Sequence, residues 1–324
     1  MSHNTKSSGV LLFVFIYSGL IFMGCTSKAK GILGPINYPS DNPFQEEIAE
    51  FGKILFFDTR LSSDNSISCS TCHLPEKAFT DGLSKSRGVH GKIAMRNAPS
   101  LFNVAYQKTL MADGEVPTLE MQALVPLQDT SEMANKMGEL IRKLKAIPFY
   151  QKKAKALFNR DFDAFVLTRS LAQYERTLLS DHSPFDQWYY EGNEQAISIS
   201  AKKGWKIFSE ELYCTHCHPA PFFTNFKVEN NGLYESYENI ADKGRFRING
   251  DSNEIGSFKV PSLRNVSKTG PYMHDGSLKS IDAILDLYSK GGNHTQQQNT
   301  VIQPFILTKA KRENLKAFLR SLED

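Results

Sequence analysis

The chain has 324 residues, 40% apolar and 23% charged, with 38 basic and 35 acidic side chains and a formal charge of +3. That mix excludes a disordered or collagen-like chain, and so even a charge balance offers no broad footprint for nucleic acid, so no nucleic-acid partner is expected. The 22 Phe, 12 Tyr and 2 Trp supply bulk for a core, or for walls around a large flat cofactor.

From the N-terminus, a short basic start (Met1 to Lys6), an apolar run (Val10 to Met23) and Gly24-Cys25 read as a lipoprotein signal peptide over residues 1–24. Cleavage would leave Cys25 to carry a lipid that anchors the protein to a membrane, followed by a linker over 25–40. An ordinary secretory signal or a single anchor is the plainer alternative, although the run is short of the roughly 20 residues a spanning helix needs. Either way the chain is exported, and a periplasmic location is expected. Apolar spacings of three and four predict helices over 132–150, 161–180, 196–209, 280–289 and 309–322. Ser183-Pro184, Gly82 to Gly91 and Gly291-Gly292 read as loops. Gly192-Asn193-Glu194 breaks the helical pattern, and Ser198 and Ser200 offer N-caps beyond it. Few segments alternate with period two, so the fold is expected to be mainly α with few short strands.

The four remaining cysteines form one motif twice. Cys69-Ser70-Thr71-Cys72-His73 and Cys214-Thr215-His216-Cys217-His218 are both C-x-x-C-H, the attachment signature of a c-type haem. Two thiols three residues apart on a helical turn can both reach the haem vinyl groups, and the next His falls under the iron. A zinc site would want its second C-x-x-C about 15–20 residues on, and a thioredoxin-type motif needs no His. Two covalently bound haem c groups follow.

The chain around these motifs is repeated. Gly52-Lys-Ile-Leu-Phe-Phe57 leads into the first as Gly204-Trp-Lys-Ile-Phe208 leads into the second. Pro75-x-x-x-Phe79-Thr80-Asp81 follows one, and Pro219-x-x-x-Phe223-Thr224-Asn225 the other. Ala98-Pro99-Ser100-Leu101-Phe102-Asn103-Val104 then matches Val260-Pro261-Ser262-Leu263-Arg264-Asn265-Val266, without a gap as far as Asp113-Gly114 and Asp275-Gly276. Two cytochrome c-like haem domains in tandem are expected, over 41–190 and 191–324.

With Arg96-Asn97-Ala98-Pro99, Leu119-Glu120-Met121-Gln122, Glu132-Met133, Gly244-Arg245-Phe246 and Gly270-Pro271-Tyr272-Met273-His274-Asp275-Gly276 in this order, the chain resembles the bacterial di-haem cytochrome c peroxidase and MauG family over residues 40–322. The resemblance implies reduction of hydrogen peroxide to water. The second haem would collect electrons from a periplasmic cytochrome c or cupredoxin, and the first would cleave the O–O bond. Glu132 matches the family's distal acid, which moves a proton between the peroxide oxygens, and Gln122 its neighbour; on spacing alone Glu132 reads as a helix-start carboxylate. His90 matches a loop His that closes the first haem in some members, or is an exposed loop side chain. Tyr288 falls at the sixth ligand of the second haem, where conventional peroxidases carry Met and MauG carries Tyr. It also lies on an apolar stripe with Ile281, Ile284 and Leu285, as a core residue would.

Asn97, with the main-chain oxygens of Thr269 and Pro271, matches the family's calcium site, although Asn97 alone would read as a loop hydrogen-bonder. One departure stands out: Ala112 occupies the position of the family's inter-haem Trp, and Glu115 replaces the usual Arg. Another aromatic, such as Tyr106 or Tyr272, would have to fill that gap, or electron transfer between the haems is slower. The resemblance leaves open a MauG-like oxidation of a partner protein through high-valent haem, and a homodimer. The rival class is a non-enzymatic di-haem electron carrier, which needs no acid over an iron.

Overall fold

The computed structural model describes Met1, Ser2 and residues 31–324, and its regular elements are short and almost all helical. The apolar run of the expected signal peptide and Cys25 lie outside the described residues. In chain order the helices of the first half are α1 (Glu46–Phe56), α2 (Cys69–Cys72), α3 (Leu119–Gln122), α4 (Leu124–Gln128), α5 (Met137–Lys145), α6 (Pro148–Phe158) and α7 (Ala164–Arg176). Then come α8 (Pro184–Tyr189), α9 (Ile199–Lys206), α10 (Phe246–Asn249), α11 (Ile281–Ser289) and α12 (Lys309–Arg320). The strands β1 (Val228–Glu229) and β2 (Phe258–Lys259) pair antiparallel, Val228 opposite Lys259. The fold is mainly α, as expected. Among the described residues no helix is long and apolar enough to cross a membrane.

Each half is organised on one close helix pair, and a glycine equivalent in the repeat makes each pair possible. A Cβ on Gly52 of α1 would lie 1.8 Å from the Ser170 carbonyl oxygen of α7; one on Gly204 of α9 would lie 1.9 Å from that of Asn314 on α12. Only a hydrogen fits at either place. Around the first pair Phe51, Leu55, Phe56, Val166, Leu167 and Leu171 form one apolar cluster; around the second Phe185, Phe208, Phe223, Leu315 and Phe318 form another. Residues 31–324 nevertheless make one compact unit.

Local chemistry sets the helix ends. Ser198, Ser280 and Thr308 each accept a hydrogen bond from the third residue of the helix that follows, satisfying an otherwise orphaned N–H. Ser200 is no cap: it lies inside α9, its hydroxyl on Asn314 Oδ1 at 2.8 Å. Three further expectations need correction. The run over 132–150 is helical only from Met137, and it breaks before Pro148, whose ring holds Ile147 extended and starts α6 afresh. Ser183-Pro184 is a helix start, with Ser183 and Asp186 in a capping box and Pro184 in the first turn. Helix α1 went unmarked among the expected helices. Phe185 packs against Trp205, Phe223 and Phe318, which joins α8 to the second cluster.

Candidate haem-binding and catalytic site

The first motif forms a single helical turn, α2, entered through Ser68, whose backbone N–H is bound by the Thr71 hydroxyl at 3.0 Å. His73 closes it. Beyond, Ala78 and Phe79 both take left-handed backbone conformations (φ 53° and 58°) and fold the chain back. That return sets the Phe79 carbonyl oxygen 2.9 Å from His73 Nδ1. The second motif repeats the device: Phe223 (φ 52°) turns its carbonyl oxygen to 2.9 Å from His218 Nδ1. A carbonyl can only accept, so each Nδ1 carries the proton and each Nε2 keeps its lone pair free. Burial holds both rings neutral, pushing His218 down to about 4 and His73 below the usual range.

All four cysteines are free thiols. Burial raises each of them, Cys72 to about 11 and Cys214 to about 12. Partly buried apolar side chains pack on the same clusters as the motif cysteines, Phe102, Met111 and Val125 on that of Cys69 and Leu263, Tyr272 and Ile281 on that of Cys214. Free thiols, a pinned His with an open Nε2, and an apolar wall are what a covalently attached haem requires at both places.

Glu132 lies in a turn, five residues before α5 begins, so the helix-start reading does not hold. Among the described residues its carboxyl has no hydrogen-bond partner, and burial, with the nearby Asp129 charge, pushes it up to about 7. It is close enough to the first motif that its charge raises both Cys69 and Cys72. Gln122, at the end of α3, directs its amide to the Met111 sulfur at 3.9 Å. His90 sits on an adjoining turn with its side chain 64% exposed and Nδ1 3.5 Å from Asp64. A second buried carboxyl went unremarked in the sequence. Glu175 of α7, in register with the core residues Leu171, Ala172 and Leu178, is pushed up to about 8 by burial and also raises Cys69; its Oε2 has no partner.

At the second motif the Tyr288 hydroxyl is 3.4 Å from the Asn231 amide, and that same amide is 3.3 Å from the Met273 sulfur. Burial raises the phenol above its ordinary range, and the Cys217 and Cys214 thiols add to the shift. Tyr288 and Met273 therefore converge on one amide beside the second motif. Asn231, in an Asn-Asn-Gly loop, carried no signal.

Motifs far apart in the chain meet at the junction of the halves. Arg96 binds Asp242 through Nε and Nη2 (2.6 and 2.9 Å) and Asp113 at 2.8 Å. Arg245 donates to the carbonyl oxygens of Asp113 and Gly114 at 3.0 and 2.7 Å. Asn97 donates its backbone N–H to the His274 carbonyl (2.8 Å) and its amide to Leu83 (2.6 Å). Leu83 and Pro271 line one open cleft together with Lys268 and Lys279, and Thr269 lies between Lys268 and Gly270 of that lining. Of the aromatics considered for the gap at Ala112, Tyr106 bonds the Gly34 carbonyl and packs on Phe222, and Tyr272 bonds the Val266 carbonyl.

A family profile described as "Di-haem cytochrome c peroxidase" matches residues 46–195. The methylamine utilization protein MauG of Methylorubrum extorquens is 36% identical over 290 residues, 89% of this chain and 81% of that protein. The cytochrome-c peroxidase IdrP1 of Denitromonas iodatirespirans is 32% identical over 322 residues, 90% of this chain and 85% of that one. The crystal structure of a MauG-like protein associated with microbial copper homeostasis superimposes with a TM-score of 0.85 at 31% identity, covering 92% of this chain and 95% of that one. Two haem-attachment motifs with pinned histidines, an unpartnered acid beside the first and these likenesses along nearly the whole chain have one meaning: the chain belongs to the di-haem cytochrome c peroxidase family, as an oxidoreductase that binds two haems.

Proposed function

We propose that the chain reduces hydrogen peroxide to water at the first haem site, taking electrons through the second from a small periplasmic redox protein, a cytochrome c or cupredoxin. The observation that carries this reading is Glu132, a half-buried, unpartnered carboxyl beside the first motif, pushed up to about 7 by desolvation and the nearby Asp129 charge. An electron carrier has no use for such a group. When bound, haem supplies a one-electron redox centre at each site; the rest is the work of side chains. Ionised Glu132 accepts a proton from one peroxide oxygen and returns it to the other as the O–O bond breaks. Two electrons and two protons then convert one peroxide to two waters. Gln122, whose amide meets the Met111 sulfur, is the group proposed to orient the peroxide. At the second site, Tyr288 is the proposed sixth ligand, with Asn231 holding its oxygen. His90 remains the proposed closing group of the first site, and calcium the cation proposed for Asn97 with the main-chain oxygens of Thr269 and Pro271.

A second reading, oxidation of a residue on a partner protein, is favoured by Tyr288 beside Cys214 and Cys217 and by the 36% identity to a MauG protein. Export and a lipid on Cys25 belong to the same proposal. The test is peroxide consumption by the purified holoprotein with reduced cytochrome c, against Glu132→Gln. Turnover that depends on Glu132 supports the peroxidase. A holoprotein that consumes no peroxide refutes it.

A further inference from the structure

The turn Met111-Ala112-Asp113-Gly114 in the first half is the repeat partner of Met273-His274-Asp275-Gly276 in the second. The structure bears this out in the backbone. Met111 and Met273 both have positive φ (65° and 73°), and each methionine carbonyl accepts the N–H of the glycine at 3.2 Å. Each methionine sulfur also meets an amide, Gln122 at the first site and Asn231 at the second. The residue after the methionine is where the two turns differ: Ala112 has no ring, and His274 has one.

That ring is not idle. His274 stacks on Phe258 of β2 with centroids 3.7 Å apart and planes within 10° of parallel. The Arg96 guanidinium lies over the Phe258 ring at 5.6 Å, held by Asp113 and Asp242. The next residue, Lys259, donates its backbone N–H to the Ala112 carbonyl oxygen at 2.6 Å. The Lys259 ammonium is itself bound to Gln107 and to the Thr109 carbonyl, which fixes β2 against the first half. A continuous chain of contacts thus leads from Met273, beside Tyr288, through His274, Phe258 and Lys259 to Ala112, beside Met111.

We propose that the His274–Phe258 stack, continued through the Lys259–Ala112 hydrogen bond, is the route by which an electron crosses between the two haem sites. It rests on the proposed entry of electrons at the second site. Electronic coupling falls steeply across empty space and more slowly through rings in van der Waals contact and through hydrogen bonds, which favours a connected route of this kind. One electron leaves the reduced second site and arrives at the oxidised first; no bond forms or breaks, and both rings stay closed-shell. Arg96 acts as a positioning residue, since its guanidinium faces the stack while its carboxylate partners come from both halves.

The test uses oxidised two-haem holoprotein, flash-reduced by a photoexcited flavin without peroxide, and follows the electron from the second haem to the first optically. Phe258→Leu and His274→Leu should each lose the fast inter-haem phase with both haem spectra retained. His274→Phe, which keeps a ring in the stack, should retain it. A fast phase that survives Phe258→Leu overturns the route, as does its loss in Tyr106→Leu alone, which would move the crossing to the Tyr106–Phe222 contact. If Phe258→Leu fails to take up haem, the His274→Leu and His274→Phe pair decides. A chain that passes electrons in this assay but consumes no peroxide refutes the peroxidase reading and leaves the route standing.

Discussion

Val89 donates its backbone N–H to the carbonyl oxygen of Glu132 at 2.8 Å, which ties the turn bearing His90 to the segment bearing the acid. Gly88 makes the approach possible, because a Cβ there would lie 2.0 Å from the Ser131 carbonyl oxygen and 2.7 Å from that of Glu132. A movement of the His90 turn is therefore transmitted to the backbone of the proposed catalytic carboxyl.

The pH dependence of that carboxyl has a definite sign. Glu132 must be ionised to accept a proton, and it titrates at about 7, so kcat/KM for peroxide should fall as pH drops through 7. Glu132→Gln should lower turnover by about 10²–10⁴, the usual worth of a general acid–base group, and erase this acid limb. In the folded protein the proton is held up to about 7, whereas unfolding returns the group to its ordinary 4.5. The stability this contributes is complete below 4.5 and lost as pH rises through 7. The melting temperature of Glu132→Gln, relative to the parent, should accordingly climb between those values and level off above them.

Covalent attachment is checked by mass. The denatured protein should carry two haems, and replacement of Cys214 and Cys217 by Ala should remove one and leave the haem on Cys69 and Cys72 in place. A haem-free product would end the assignment.

How much of this was legible before folding depends on the range of each interaction. The C-x-x-C-H motifs could be read because thiol spacing and the adjacent His are fixed within five residues, as is the cap at Ser198. The break at Pro148 is hidden by an apolar periodicity that runs through it, although the proline's missing N–H marks it locally. The meeting of Asn231 with Tyr288 and Met273, and of Phe258 with His274, joins segments 16 to 57 residues apart. No local pattern encodes such contacts. Ala112 shows the point from the other side: the missing ring was evident in the sequence, while Phe258, whose neighbour Lys259 bonds the Ala112 carbonyl, was not among those expected to replace it.

The Arg264–Asp186 pair gives a stability test that does not involve the haem-attaching residues themselves. Both oxygens of Asp186 are bound, at 2.7 and 2.9 Å, and the two side chains are 1% and 0% exposed. Asp186→Asn leaves a guanidinium buried without its counter-charge, which should cost about 3–5 kcal/mol. Urea denaturation should show the midpoint fall with little change in slope. Replacing both residues by apolar side chains of similar volume should recover part of the loss, because the desolvation cost of the pair disappears with it.

Tyr288 separates the two functional readings. If its oxygen is the sixth ligand of the second haem, Tyr288→Phe removes the ligand and keeps the ring, so packing against Leu285 and the α11 stripe changes little. A phenolate-type charge-transfer band should vanish and the potential of that haem should rise, because a hard anionic donor that favours ferric iron has gone. Tyr288→Met should raise the potential further, since a thioether is a soft, neutral donor. The Asn231 amide, 3.3 Å from Met273 and 3.4 Å from Tyr288, supplies the internal control. Should Tyr288→Phe leave the spectrum unchanged while Met273→Leu alters it, the methionine is the ligand, and the protein acts as a conventional peroxidase. If only Tyr288→Phe acts, the anionic ligand holds the second iron ferric at low potential, and the first assay to run is oxidation of a partner protein.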